Sequence, residues 1–182
     1  MVCETGKKWG KELRIAYTNV DGLLSVRYEL EEYLKIKKPD IMAITETKLS
    51  EEREAHNTGE GNYKVWKRNR KDKQGGGVMF LIKKNITIED VKYGKGLAEV
   101  LKVSTKGMNR RKRDFAVVYV PPKTDAWSKA EYDEILMDTK EFLEDMIKES
   151  ENISIMGDLT ARRYLGRNGQ RAAKRTPGGI SY

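Results

Sequence analysis

The chain has 182 residues, 38% of them hydrophobic and 35% charged, with a formal net charge of +8 and one cysteine, Cys3. That length suits a single domain with a sizeable core, and one cysteine excludes an internal disulfide framework and fits a reducing compartment. No stretch is apolar for long enough to span a membrane, and the opening MVCETGKKWGKEL lacks the apolar centre of a signal peptide. The expected location is therefore intracellular, nuclear or cytoplasmic rather than secreted, and the sequons at Asn85 and Asn152 carry no consequence.

In chain order, LRIAYTNV (13–20) is β-branched and aromatic and predicts a strand that turns at Asp21-Gly22. A helix follows, with Val26, Leu30, Tyr33 and Leu34 at helical spacing. Pro39-Asp40 stops it, and DIMAIT (40–45) predicts a short buried strand, so this strand–helix–strand unit argues for an α/β protein. Residues 50–62 are polar and read as a loop. YKVWK (63–67), GVMFLIKK (77–84), LAEVLKV (97–103) and DFAVVYV (114–120) then read as successive strands without intervening helices, a pattern that fits antiparallel meandering. After Pro121-Pro122 a long helix is predicted over about 128–149, with Tyr132, Ile135, Leu136, Phe142, Leu143 and Met146 on one face. Its other face carries eight acids against three lysines, so it is expected to turn away from any nucleic acid. ISIMG (153–157) returns the chain to a sheet. Residues 1–12 form an extension, 13–160 the domain, and 161–182 a basic, glycine-containing tail expected to be flexible.

Charge is concentrated. Residues 161–182 carry Arg162, Arg163, Arg167, Arg171, Lys174 and Arg175 and no acid, so six of the eight net charges lie there. Two internal stretches, KVWKRNRKDKQGGG (64–77) and TKGMNRRKRD (105–114), add Lys67, Arg68, Arg70, Arg110 and Arg111. Such runs suit a polyanion such as the DNA backbone, or they are solvated surface; both readings stay open on composition alone. Trp66 has two readings as well, a base-stacking platform or core. The glycines at 75–77 precede a strand and lack the Gly-Lys-Ser/Thr pattern of a phosphate-binding loop, so a flexible turn is expected.

Functional groups of α/β folds gather at strand tips, and four tips carry chemistry. Asn19 follows LRIAYT, Glu46 follows DIMAIT, Tyr119 closes DFAVVYV, and Asp158 follows ISIMG. Singly each has an ordinary explanation: a turn, a helix cap, a core aromatic, a second turn. Together, two carboxylates, an amide and a phenol could converge on a hard cation and a phosphate, since Mg²⁺ takes oxygen ligands with water and substrate completing its shell.

The motifs in order resemble the endonuclease/exonuclease/phosphatase superfamily, and within it the endonuclease of LINE-type (non-LTR) retrotransposons. LRIAYTNVDGL matches the opening asparagine motif and PDIMAITETKL the glutamate motif. GGGVMFLIKK matches the glycine-rich approach to a strand, FAVVYVPP the tyrosine motif, and ISIMGDLTAR the Gly-Asp-Phe-Asn-Ala-Arg motif. The resemblance implies a two-sheet β-sandwich flanked by helices and a Mg²⁺-dependent, monomeric phosphodiester hydrolase that cuts DNA. It assigns Glu46 and Asn19 to the metal, Asp158 to the attacking water, Tyr119 to the phosphate or leaving group, and the basic loops with Arg162 and Arg163 to the DNA backbone.

Two departures bear on activity. Thr160 stands where the family has asparagine, a hydroxyl in place of a longer amide. The family's closing Ser-Asp-His motif is not reached before Tyr182, and the one histidine, His56, sits in a polar loop. A general base is worth roughly 10²–10⁴-fold, so the expectation is an impaired nuclease that lacks the final strands of one sheet. The rival expectation is a non-catalytic nucleic-acid-binding remnant of such a nuclease.

Overall fold

The computed structural model describes residues 13–50, 61–70, 73, 75–106 and 112–159. Within them two four-stranded sheets pack face to face, with a helix on each outer face. The elements are β1 (Ile15–Asn19), α1 (Arg27–Lys37), β2 (Ile41–Thr45), β3 (Tyr63–Arg68), β4 (Val78–Lys83), β5 (Ile88–Tyr93), β6 (Glu99–Lys106), β7 (Lys112–Val120), α2 (Lys129–Glu149) and β8 (Ile153–Leu159). One sheet has the order β1-β2-β4-β3 and the other β5-β6-β7-β8. The pairs β1–β2 and β7–β8 are parallel, each joined through a helix, and the other pairs are antiparallel. That is the α/β two-sheet sandwich the sequence predicts.

Layering explains the apolar runs. β2, β4, β6 and β7 are covered on both faces, so β2, β4 and most of β7 read as near-continuous hydrophobic stretches, while β6 buries Glu99, Lys102, Ser104 and Thr105 beside Val100, Leu101 and Val103. Ile41, Ala43, Phe80 and Ile82 meet Leu101, Val103, Phe115 and Val117 between the sheets. Leu30 and Leu34 of α1 cover Met42, Ile44, Met79 and Leu81, while Tyr132, Ile135, Leu143 and Met146 of α2 cover Val100, Ala116 and Val118. α2 starts on a capping box, with Ser128 accepting from the Glu131 N–H and Glu131 accepting from the Ser128 N–H. Trp66 packs against the intersheet core, so its core reading holds.

β5 is absent from the predicted elements. Its residues IEDVKY turn only Ile88 and Val91 inward, with a bulge between Ile88 and Asp90, and an edge strand needs no more. Among the described residues three charged side chains are buried, Glu99, Lys102 and Asp114; Lys102, on the α2 side of β6, lies 3.4 Å from Asp114 and 3.8 Å from Glu149. The expected extension (1–12), the Thr160 position, the tail, His56, Arg110 and Arg111 lie outside the described residues.

Candidate active site

β1 and β2 run in parallel, Asn19 opposite Thr45, so both deliver their ends to the same side of the sandwich. β7 and β8 are parallel too, with Tyr119 opposite Asp158. Two parallel pairs from facing sheets thus bring four predicted side chains to one rim. Asn19 Nδ2 donates to Glu46 Oε1 at 2.7 Å, and Asn19 Oδ1 accepts from the Asp21 N–H at 3.1 Å. The Tyr119 hydroxyl hydrogen-bonds the Glu46 carboxylate, and Asp158 is close enough to Glu46 to feel its charge.

These surroundings set protonation. Burial, then the Glu46 carboxylate, push the Tyr119 phenol well above its ordinary value, so it stays a proton-bearing donor at neutral pH. Burial, then Glu46, also raise Asp158 above the usual carboxylate range. A raised carboxylate at a strand end holds protons more avidly than an exposed one, which suits a proton acceptor.

The sequence predicts a turn at Asp21, and the structure gives the residue a second place, beside the site. Its carboxylate pairs with Lys48, which holds it below the ordinary carboxylate range, and it lies beside Glu46 as well. Tyr17 is a further addition: its hydroxyl is 3.1 Å from Thr45 Oγ1, and burial, then the charges of Asp158 and Glu46, raise its value against the lowering effect of that hydrogen bond. Asp21, Glu46 and Lys48 all have positive φ (46°, 55° and 51°), a left-handed backbone that costs a non-glycine residue roughly 1–2 kcal/mol. Strain of this kind survives where surrounding structure over-determines the backbone, and three such residues border one site. Glu46 is therefore no helix cap; it terminates a buried strand in a strained turn.

Gly157 accounts for the glycine before the acid. At φ 143° its Cα lies so near β7 that an added Cβ would stand 1.8 Å from the Val118 carbonyl oxygen. Glycine lets β8 approach β7 here, and Asp158 is carried beside Tyr119.

The predicted basic residues divide. Lys67 is half-buried on β3. Arg68 reaches sideways to donate to the Gly96 carbonyl at 2.8 Å, and burial lowers its value. Arg70 turns inward: its Nε donates to Glu99 Oε1 at 2.6 Å, and its guanidinium lies over the Trp127 ring. The glycine turn at 75–77 is correspondingly built into the structure rather than loose, with Gly77 N–H donating to Glu99.

Oxygen donors at the rim fit a hard cation in one respect. Among the described residues no three His, Cys, Asp or Glu side chains close on one point. The Asp21–Glu46 pair, oriented by Asn19, is the kind of site that holds Mg²⁺ through one or two carboxylates and leaves the other positions to water and substrate.

No family model matches the sequence, and no curated protein matches it. Solved structures do. The chain superposes on an AP endonuclease from Archaeoglobus fulgidus at 22% identity and a TM-score of 0.61, covering 81% of this chain and 57% of that one. The AP endonuclease LMAP from Leishmania major gives 18% and 0.64, over 81% of this chain and 55% of that one. The 3′ phosphatase NExo from Neisseria, solved with a product DNA hairpin, gives 15% and 0.62, over 81% and 57%. The fold is that of the endonuclease/exonuclease/phosphatase superfamily. Against these three structures the chain spans little more than half of each partner's length.

Proposed function

We propose that this chain is a Mg²⁺-dependent phosphodiester hydrolase that cuts DNA, of the kind encoded by LINE-type retrotransposons. The observation that carries the reading is the meeting of Asn19, Glu46, Tyr119 and Asp158, from four strands of two sheets, around a carboxylate pair. The superfamily's fold supports a phosphodiesterase; the motif order supports the LINE-type assignment.

Asp21 and Glu46 would hold the ion. Mg²⁺, when bound, supplies a Lewis acid that offsets charge growing on the phosphate. Asn19 fixes the Glu46 carboxylate by donating to one of its oxygens. Asp158 takes a proton from the attacking water, helped by Thr160 nearby in sequence. Tyr119, kept protonated, donates towards a phosphate or leaving-group oxygen. Lys67, Arg110, Arg111, Arg162 and Arg163 hold the DNA backbone without reading sequence. Arg68 and Arg70 have less reach to DNA, being committed to Gly96 and Glu99, and serve the site from behind.

Supercoiled plasmid nicked with Mg²⁺ or with EDTA, by the chain and by Glu46→Gln, tests this. Mg²⁺-dependent nicking that disappears in the variant while DNA binding persists is the expected result. Nicking that survives EDTA, or survives Glu46→Gln, refutes the assignment. Salt-sensitive binding without any nicking by a cooperatively folded chain would move the chain to the non-catalytic nucleic-acid-binding reading.

A further inference from the structure

Beneath the rim lies a buried ion pair that the proposed chemistry does not use. The Arg70 and Glu99 side chains are 11% and 4% exposed, and Arg70 Nε donates to Glu99 Oε1 at 2.6 Å. The second carboxylate oxygen of Glu99 accepts the Gly77 N–H. Arg70 also stands 5.0 Å from the Trp127 ring centroid and 5.9 Å from that of Tyr119. Replacing a buried pair by apolar residues is often neutral or stabilising, so stability alone does not explain it.

Its contacts lead to the site along two routes. Gly77 and Gly76, packed on the pair, accept through their carbonyls the N–H groups of Thr47 at 3.3 Å and Lys48 at 2.8 Å. Those residues immediately follow Glu46, and Lys48, like Glu46, has left-handed backbone. The packing is tight: a Cβ at Gly76 would stand 2.4 Å from both Arg70 Nη2 and Glu99 Oε2. By the second route Glu99 is the cross-strand partner of Tyr119, whose ring Arg70 flanks and whose hydroxyl meets Glu46. Both routes end on Glu46.

We infer that Arg70 and Glu99 are positioning residues, which hold the Glu46–Lys48 turn through the glycines and the Tyr119 ring through its face. The consequence for cleavage rests on the nuclease reading above; the mechanical claim does not.

Glu99→Gln tests it. The amide keeps the volume but turns one of the two oxygens into an NH₂ donor, and since Arg70 and the Gly77 N–H are held by different oxygens, one of them faces a donor instead of an acceptor. Amide hydrogen exchange at Thr47 and Lys48 is compared with Val103, which lies on the strand of Glu99 away from the rim. The expected result is exchange at Thr47 and Lys48 about 10-fold faster relative to Val103, a local rather than global opening. Nicking turnover should fall about 100-fold at unchanged half-saturating DNA, the cost of roughly 1 Å of misplacement. Exchange that rises equally at all three amides, or at none, overturns the inference. So does full nicking by Glu99→Gln when Glu46→Gln is inactive. Should the unchanged chain fail to nick, the nuclease reading falls and the exchange comparison alone decides the positioning claim. If Glu99→Gln does not fold, Arg70→Lys, which keeps the charge and loses the planar stack on Trp127, is read by the same comparison.

Discussion

Gly157→Ala is the sharpest perturbation the structure offers, because the obstacle is backbone. The new Cβ would begin 1.8 Å from the Val118 carbonyl oxygen, 2.8 Å from its carbon and 2.9 Å from the Val118 nitrogen, where contacts under 3.0 Å essentially never occur. No rotamer change relieves this, so β8 must part from β7 by more than about 1 Å, a shift of the size that costs roughly 100-fold in rate. Overpacking of this kind costs about 1–3 kcal/mol, and alanine at φ 143° adds about 1–2 kcal/mol of backbone strain. At roughly 2–4 °C per kcal/mol for a chain of this size, the melting temperature should fall by about 4–20 °C. Circular dichroism melts of the two proteins measure it, with plasmid nicking in parallel. A melt unchanged within about 1 °C would show that β8 does not seat against β7 as described, and the explanation of the Gly-Asp motif would fail with it.

Three further outcomes are expected. Asp158 should titrate above the ordinary carboxylate range by carboxyl ¹³C NMR, and Glu46→Gln should lower it in part, burial being the larger cause; no movement, or a rise, would place Glu46 elsewhere. The sign for stability follows: a carboxyl with a raised folded value binds its proton more tightly folded than unfolded, so stability declines as pH rises through that window. Asp158→Asn should therefore raise the melting temperature at pH 7 and give no gain at pH 3 (below the window), and an equal gain at both pH values would refute the linkage. Lys102→Met strands the Asp114 carboxylate in the α2 layer and should cost about 3–5 kcal/mol in urea unfolding, with Asp114→Asn in the same chain recovering part; a loss under about 1 kcal/mol would contradict the burial of that pair.

Much of the fold was legible because layering writes itself into sequence. A strand covered on both faces is usually rich in apolar residues, and DIMAIT, GVMFLIKK and DFAVVYV show it; a helix over a sheet is amphipathic, and 128–149 shows it. β5 was not legible, since an edge strand with two inward side chains has the composition of a loop. The candidate site was legible where a polar residue interrupts an apolar run at its end, which is how Asn19, Glu46, Tyr119 and Asp158 were found. Asp21 escaped because Asp-Gly is an ordinary turn signal, and the turn is real: Asp21 supplies left-handed backbone and a carboxylate at once.

Arg70 marks the boundary of what sequence can reach. In KVWKRNRKDKQGGG it is one cation among many, and composition favours solvent or phosphate for all of them. Its actual partner, Glu99, lies 29 residues away, at the start of a strand whose other residues are mostly buried. Only the pairing of sheets brings the two together, and only then does a charged residue at the start of a buried strand acquire a reason. The glycines at 76 and 77 belong to the same logic. Their signal suggested looseness, but each is glycine because a side chain there would strike Arg70, Glu99 or Thr47. A turn made of glycine for want of space is a rigid object, and Glu46 is one residue away from its hydrogen bonds.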